Sequence, residues 1–227
     1  MKFENTEVWG FKHALRGMRN PMNSWDKSDS DWEFIEDPSI INPNDEVKFV
    51  VGENDMKLAQ KLIRSGSEHR KFMRQIFVSV DITAPLYWWK EFDTYKVGTV
   101  ANSTSTMHKL ASTPITIGCF ETDDCNWDVT PTETNIFIEA LEQLRQDYFE
   151  TKDKRYWKEL IRWLPEGWLQ TRTVTLNYEN LLAMCSKGQR RFHKLNEWSG
   201  VDNPDKPNFI TWARTLPYAK ELLFIDE

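Results

Sequence analysis

The order of hydrophobic and polar positions predicts two β-strands. Between residues 75 and 83 the chain reads QIFVSVDIT, in which every second residue is aliphatic. Ile76, Val78, Val80 and Ile82 should therefore point to one side and the residues between them to the other, as in a half-buried strand. Residues 171–177, TRTVTLN, predict a second strand because they are rich in Thr and Val.

Most of the remaining hydrophobic residues recur at helical spacing. The longest such segment opens with TPTE at 130–133, where Thr at the N-cap, Pro at the first helical position and Glu at the third form a capping-box pattern. Helices are predicted at 55–66, 86–92, 130–148, 157–164, from 180 onward and at 209–223, the last with a break at Pro217.

Segment 19–46 differs from the rest, because it is rich in Asn, Asp, Ser and Pro and predicts a long loop. The whole pattern predicts an α+β fold that is mostly helical, with a small antiparallel or mixed sheet. A chain of 227 residues is long enough for one large domain or two small ones. At this size about 70% of the unfolded surface can be buried, so no covalent staple is needed.

Charge and cysteine content narrow the class of protein. The net charge of −6 argues against nucleic acid as the main partner, because phosphate backbones require a basic surface. Three cysteines, at 119, 125 and 185, give an odd number without a paired spacing, which favours a reducing compartment and disfavours a disulfide framework or a zinc site. No apolar run approaches the ~18 residues of a membrane span. We therefore expect a cytoplasmic protein without a metal or a membrane segment.

Three segments could carry chemistry. The stretch VGTVANSTSTM (97–107) has five Ser or Thr and one Asn, directly after Tyr95 and Lys96, and short hydroxyls and amides suit a phosphate. The other two are the basic clusters GSEHRKFMR (66–74) and QRRFHKLNEW (189–198), whose arginines can form paired bonds to a phosphate or a pyrimidine carbonyl. From composition alone, an ordinary Ser/Thr loop and solvated charged turns are the preferred explanations of these segments. The chain has no nucleophile elbow, zinc-protease, dinucleotide or P-loop motif.

The order of these segments resembles the flavin-dependent thymidylate synthases over nearly the whole chain. That family has an Ala-Arg element, a Gly-His-Glu-like turn, a strand ending in Pro, an aromatic helix, a signature motif, a Leu-Pro pair, a second strand, an Asn-led helix and a late Arg. The counterparts here are ALRGMR (14–19), GSEHRKF (66–72), IFVSVDITAP (76–85), LYWWKEF (86–92), TYKVGTVANSTSTMHKL (94–110), WLP (163–165), TVTLNYENLL (173–182), QRRFHKLNEW (189–198) and WARTLPYAKELL (212–223).

The signature motif, Arg-His-Arg-x-x-Ser-x-Asn-x-x-Ser-x-Arg, is altered in this chain. Without a gap, its residues fall on Thr94, Tyr95, Lys96, Thr99, Ala101, Thr104 and Thr106. With a one-residue insertion, the Asn and the second Ser fall on Asn102 and Ser105, and the last Arg falls on Met107. In both registers all three arginines are replaced, and only Lys96 keeps a positive charge.

The resemblance implies an enzyme that converts dUMP to dTMP. It implies one domain over residues 1–227 and a homotetramer with FAD and dUMP at subunit interfaces. It also implies NADPH as the reductant and methylenetetrahydrofolate as the carbon donor. The cofactor-binding residues it implies are His69, Arg70, Arg74, Thr94, Tyr95, Lys96 and Asn177. The substrate-binding residues it implies are Glu91, Asn102, Ser103, Thr104, Ser105, Thr106 and Arg162. Arg190 or Arg191 would polarise the uracil ring as the catalytic residue.

Residues 97–107 would then hold the nucleotide phosphate and replace part of the lost arginine charge. A hydrogen-bonded pair with a charged group contributes about 1.5–3 kcal/mol, so hydroxyls alone would restore only part of the affinity. Lys96, Arg16, Arg19 or Arg74 could supply the remaining charge. Two alternatives stay open, namely a flavin- or nucleotide-binding protein of this fold that has lost catalysis, and a flavin enzyme acting on another pyrimidine nucleotide.

Overall fold

The computed structural model describes residues 1–34, 47–123, 125–126, 131–190, 193–200, 205–225 and 227, with the backbone alone at 131, 189 and 190. In this part of the chain the helices are α1 (Phe11–Arg19), α2 (Glu53–Arg64), α3 (Leu86–Phe92), α4 (Pro131–Thr151), α5 (Lys154–Arg162), α6 (Tyr178–Cys185), α7 (Lys187–Arg190), α8 (Asn196–Ser199), α9 (Phe209–Ala213) and α10 (Ala219–Leu222). The strands are β1 (Lys2–Trp9), β2 (Asp31–Phe34), β3 (Val47–Val50), β4 (Phe77–Pro85), β5 (Val100–Ser103) and β6 (Leu169–Asn177). The predicted fold class, mostly helical α+β with a small sheet, is confirmed.

Four strands form one sheet in the order β1-β4-β6-β5. The hydroxyl oxygens of Thr83 and Thr171 lie 2.7 Å apart. Asp81, two residues before Thr83, accepts a hydrogen bond at 2.5 Å from Thr173, two residues after Thr171. Because the residue numbers change in opposite directions, β4 and β6 run antiparallel. The predicted alternation is confirmed, since Ile76, which immediately precedes β4, and every second residue from it to Ile82 are fully buried.

The edge strands β1 and β5 were not predicted from the sequence. Their residues are mostly exposed on both faces, so they lack the hydrophobic alternation that identifies a half-buried strand. The prediction of a loop for residues 19–46 is wrong at β2, which pairs antiparallel with β3 so that Trp32 lies opposite Phe49. Residues 35–46 and the predicted N-cap Thr130 lie outside the described residues.

The contacts divide the chain into two units. The first consists of Met1–Glu4, Asp81–Lys96 and Ala101–Val174, and the second of Asn5–Val80, Val97–Val100 and Thr175–Glu227. The first unit has a core that includes Leu110, Ile115, Phe120, Ile138, Leu141 and Leu160. The core of the second unit includes Ala14, Leu15, Ala59, Ile63, Met73, Leu181, Met184, Trp198 and Phe209. Among the described residues, no helix combines the length and hydropathy needed to cross a bilayer.

Candidate functional site

The start of α6 is the best-defined polar site in the second unit. The side chain of Asn177 accepts a hydrogen bond from the backbone N–H of Asn180 at 3.0 Å, and the side chain of Asn180 accepts one from the N–H of Asn177 at 3.2 Å. This reciprocal capping box satisfies donors that a helix would otherwise leave unpaired. Asn177, a predicted cofactor residue, therefore has a structural role in addition to any binding role.

The first residues of the hydroxyl-rich stretch lie against this helix start. Asn180 donates its side-chain N–H to the carbonyl oxygen of Val97 at 2.6 Å. The next residue, Gly98, has φ +80°, and a Cβ there would lie only 3.0 Å from Nδ2 of Asn177. A glycine is needed at this position because the backbone is left-handed and the approach is close.

Two of the predicted cofactor residues meet in the same place. Arg70 donates to Glu179, in the first turn of α6, at 3.3 Å, and Arg74 donates to the other carboxylate oxygen of Glu179. The hydrogen bond that Arg74 donates to Glu179, together with the negative charge of Glu179, raises the pKa of Arg74 above its ordinary value. Arg74 is more than half exposed, so one edge of its guanidinium faces solvent.

A cleft of about 780 Å³ opens beside this cluster, entirely within the second unit. Its described lining includes the predicted residues His69 and Arg74, together with Lys71 and the acidic Glu68. The hydrophobic part of the lining consists of Met18, Pro21, Met22, Leu58, Leu62 and Phe72. A cleft with basic groups on one part of its wall and apolar side chains on another can hold a ligand that has both phosphates and rings.

A buried charged network contacts the lining of this cleft at Ser24. Arg19 donates to Asp55 at 2.5 Å and to the carbonyl oxygen of Ser24, a lining residue, at 3.2 Å. Asp55, which is fully buried, also accepts from the hydroxyls of Ser28 and Ser30 at 2.6 and 2.5 Å. The proposal that Arg19 supplies charge to a phosphate is therefore wrong, because its guanidinium is buried and already paired.

The cap of α2 belongs to the same network. Burial alone would raise the pKa of Asp29, but hydrogen bonds from backbone N–H groups, those of Asn54 and Asp55 among them, hold this pKa below its ordinary value. The side chain of Asp29 occupies the space that a Cβ at Gly52 would need, with a separation of 2.3 Å. Residues 28–30 are thus tied to α2 within the segment that the sequence predicted to be a long loop.

The rest of the hydroxyl-rich stretch lies in the first unit. Residues 100–103 form the edge strand β5, and Asn102 and Ser103 are exposed. Thr104 accepts at its carbonyl oxygen from the side chain of Gln170 at 2.9 Å, and the hydroxyl of Ser105 accepts from the N–H of His108 at 3.0 Å. Thr106 is half-buried, so the exposed hydroxyls and amide of the stretch are those of residues 102–104.

The residues before this stretch follow the end of α3. The Thr94 hydroxyl donates to the carbonyl oxygen of Glu91 at 2.7 Å. The backbone N–H of Tyr95 donates to the carbonyl oxygen of Phe92 at 2.9 Å. Lys96 is exposed. Arg162, at the end of α5, is half exposed and is paired with Glu159.

Arg172 is a cation of the first unit that the sequence did not single out. It donates to Asp93 at 2.8 Å and to the side-chain oxygen of Gln170 at 3.0 Å, and its guanidinium lies 4.2 Å from the ring centre of Trp89. Through Gln170 it is linked to Thr104. An arginine inside the predicted strand 171–177 was the one sequence signal for it.

Solved structures that share the fold of this chain include two of one enzyme and one of another. A flavin-dependent thymidylate synthase, ThyX, from Helicobacter pylori in complex with FAD and dUMP matches with a TM-score of 0.64 and 15% identity, over 100% of this chain and 99% of that one. A second structure of that enzyme with FAD and dUMP matches with a TM-score of 0.58 and 14% identity, over 97% of this chain and 95% of that one. The UMP/dUMP methylase PolB of Streptomyces cacaoi, bound with 5-Br dUMP, matches with a TM-score of 0.50 and 16% identity, over 77% of this chain and 82% of that one.

The chain has the ThyX fold. The resemblance stated from the sequence is thus confirmed at the level of the fold. No protein-family model matches the chain, and no curated protein matches it either. With identities of only 14–16%, the chain shares this fold but little of the sequence of these structures.

The structure of this ThyX-fold chain brings together His69, Arg70, Arg74 and Asn177 in the second unit. The predicted residues of the first unit are Glu91, Thr94, Tyr95, Lys96, Asn102, Ser103, Thr104, Ser105, Thr106 and Arg162. Arg190 is the last residue of α7, and its side chain is not described; Arg191 lies outside the described residues. The predictions for catalysis therefore stay predictions.

Sequence reasoning missed several residues of the second-unit site. Glu179 and Asn180 belong to the Asn-led helix start, and an acidic residue in its first turn was a readable signal for pairing with the basic 66–74 cluster. The apolar wall of the cleft had no such signal, because Met18, Met22, Leu58 and Leu62 look like ordinary residues of helices and loops.

Proposed function

We propose that this protein is a flavin-dependent enzyme of the thymidylate synthase type, which converts dUMP to dTMP with FAD, NADPH and methylenetetrahydrofolate. The observation that carries the proposal is the cleft of the second unit. Residues 69 and 74, which the resemblance implied as cofactor ligands, line one cleft, and Arg70 and Asn177 lie at the helix start linked to it through Glu179. Solved proteins of the same fold were crystallised with FAD and dUMP, which supports the same ligands here.

The residues of the cleft fit a dinucleotide cofactor. Its volume of about 780 Å³ lies inside the roughly 300–1,000 Å³ typical of cofactor sites. Lys71 and Arg74 would bind the diphosphate, and Met18, Leu62 and Phe72 would exclude water from the ring systems. FAD, when bound, supplies the hydride chemistry that no side chain can supply.

The nucleotide would bind with its phosphate at the hydroxyl-rich stretch. Asn102, Ser103 and Thr104 offer an exposed amide and exposed hydroxyls, and Lys96 offers a charge. Glu91, Ser105, Thr106 and Arg162 complete the proposed substrate-binding set, and Thr94 and Tyr95 the cofactor set. Arg190 or Arg191 would polarise the uracil ring, the role that the resemblance implies for the late arginine of the family.

We propose a cytoplasmic homotetramer, in which several chains build each site.

An absorption spectrum tests this function first. A visible flavin band that co-purifies with the full chain, or forms with added FAD, and that shifts when dUMP is added would support it. Arg74→Ala should weaken FAD binding by about tenfold or more, because a hydrogen bond to a charged group contributes about 1.5–3 kcal/mol. Arg64→Ala is the matched control, since Arg64 is an exposed arginine in the last turn of α2 that does not line the cleft. Absence of a flavin band at high FAD would contradict the proposal.

A flavin- or nucleotide-binding protein without catalysis is the second candidate. Two observations favour it: the altered motif contains no arginine between residues 94 and 107, and Glu179 forms ion pairs with both Arg70 and Arg74. Such a protein would bind dUMP without releasing tritium from dUMP labelled at carbon 5 of the ring. Tritium release that depends on FAD and NADPH would exclude it.

A third candidate is a flavin enzyme that acts on another pyrimidine nucleotide. The similarity to a UMP/dUMP methylase favours a broader range of nucleotides. In this case NADPH would bleach the flavin, whereas dUMP would give no dTMP. Product analysis with UMP and dUMP in parallel would separate this candidate from the first.

A further inference from the structure

A second cavity of the second unit is distinct from the cleft. It has a volume of about 360 Å³ and shares no lining residue with the cleft. Its described lining contains five aromatic residues, which we name together the aromatic pocket: Trp9, Phe11, Trp32, Phe49 and Tyr218. Rings of this number around one small space can stack on, or meet edge-on, a flat ligand.

Four of the five rings form two T-shaped pairs. Trp32 and Phe49, opposite each other on β2 and β3, have centroids 5.4 Å apart and an interplanar angle of 71°. Phe11 and Tyr218 have centroids 5.4 Å apart at 72°. Trp32 is 51% exposed, and Trp9, whose ring stacks on Phe77 at a centroid distance of 5.8 Å, is 45% exposed, so parts of two indole rings are open to a ligand.

Tyr218 is held in the pocket by an unusual backbone. Its φ of +55° lies in the left-handed region, which a bulky side chain adopts rarely. Its hydroxyl accepts a hydrogen bond from the N–H of Val51 at 2.9 Å, so the ring is fixed at both ends. The wall that it provides is therefore rigid.

The polar edge of the aromatic pocket is positive. Phe11, Lys12 and His13, the first turn of α1, line it, and among the described residues no side chain caps this helix start and no acidic residue lies in the turn. Lys48 also lines the pocket, whereas Glu33, opposite it in the hairpin, does not. Backbone N–H groups of a first turn and two exposed lysines attract an anion.

We propose that the aromatic pocket binds a planar aromatic molecule that carries an anionic group. One or two fused rings fit its volume and contact the five side chains, and the anionic group lies at the first turn of α1 near Lys12. Neither the flavin nor the pyrimidine nucleotide of the proposed function is assigned to this pocket. The inference therefore does not depend on that function.

Two fluorescent probes test the proposal on the full chain without added flavin. Anilinonaphthalene sulfonate carries a planar naphthalene ring system and an anionic sulfonate, and phenylnaphthylamine is its uncharged analogue. Trp32→Leu removes a ring but keeps a hydrophobic contact with Phe49, and should weaken binding of both probes about tenfold, in the range found for stacked rings. Lys12→Gln should weaken the anion alone, about two- to fivefold, as expected for one exposed charge.

Matched controls locate the binding. Trp163→Leu removes an exposed indole of the first unit, and Lys61→Gln removes an exposed lysine of α2; neither should change the affinity of either probe. Melting curves check that each variant is folded. The proposal is overturned if Trp32→Leu binds both probes as tightly as the unaltered protein, or if Lys12→Gln leaves the anion unaffected. It is also overturned if Trp32→Leu changes the sedimentation coefficient of the ligand-free protein, since the pocket would then be a contact between copies of the chain.

Discussion

Lys96 is the one basic residue between positions 94 and 107, where the family signature has three arginines. If the stretch holds a phosphate, Lys96→Ala should weaken dUMP binding about three- to tenfold, because an exposed ammonium contributes less than a paired guanidinium. Titration calorimetry with dUMP measures this effect. Lys158→Ala, an exposed lysine of α5, is the control, and an unchanged dUMP affinity in Lys96→Ala would reject the phosphate site.

Glu142, a carboxylate of the first unit, has a pKa well below its usual range. Hydrogen bonds from Arg145, at 2.7 and 2.8 Å, lower its pKa from 4.5 to about 2, with further help from the N–H of Ile115 and the side chain of Gln146. A group whose pKa is lowered by folding stabilises the protein above its unfolded pKa, and this stabilisation is lost as the pH falls from about 4.5 towards 2.

Glu142→Gln should therefore lower the free energy of unfolding at pH 7 by about 1–2 kcal/mol, a value reduced for the partial solvent contact of this side chain. The difference from the unaltered protein should shrink as the pH is lowered to 3. Urea unfolding at the two pH values measures it. Glu139→Gln, on an exposed position of the same helix, should have no such effect, and an equal difference at both pH values would contradict the assignment.

At the scale of elements, the capping role of Asn177 at the start of α6 can be tested separately from its proposed role in binding the cofactor. Asn177→Ala removes the cap and should cost about 1 kcal/mol of stability, whereas Asn177→Ser, which can still cap, should cost less than half of that. Thermal melting measures the stability, and FAD titration measures the binding. If Asn177 also binds the cofactor through its amide, the Ser variant will be stable but will still bind FAD weakly. Equal stability of the two variants would contradict the capping role.

The elements differ in how well the sequence predicted them. β4, α2, α3, α5 and β6 were predicted to within a few residues, because each buries one face and its hydrophobic spacing records that face. β1, β5 and the hairpin of β2 and β3 were missed, because strands that are exposed on most positions keep no such record. Part of the hydroxyl-rich stretch forms β5. This part is extended because it pairs with a neighbouring strand, and its own composition does not predict a strand.

At the scale of the whole molecule, binding of FAD should be visible as added stability. A ligand at about one hundred times its dissociation constant stabilises the folded state by about 2.7 kcal/mol. For a chain of this length this corresponds to a rise in melting temperature of about 5–10 °C. Scanning calorimetry with and without FAD measures the rise, and Arg74→Ala should reduce it. A melting temperature that does not depend on FAD would argue for a protein of this fold that has lost its cofactor.

The sequence by itself determined the fold class, the main helices, the central strand at Ile76–Ile82 and the resemblance to the flavin-dependent thymidylate synthases. These features depend on local periodicity, on capping residues and on the order of segments, all of which can be read along the chain. Only the tertiary structure decided that His69 and Arg74 line one cleft, that Glu179 pairs with Arg70 and Arg74, and that Arg19 is buried against Asp55. The ion pairs among these contacts join residues from 36 to 109 positions apart, and the sequence pattern along each segment does not specify which distant residue it will meet.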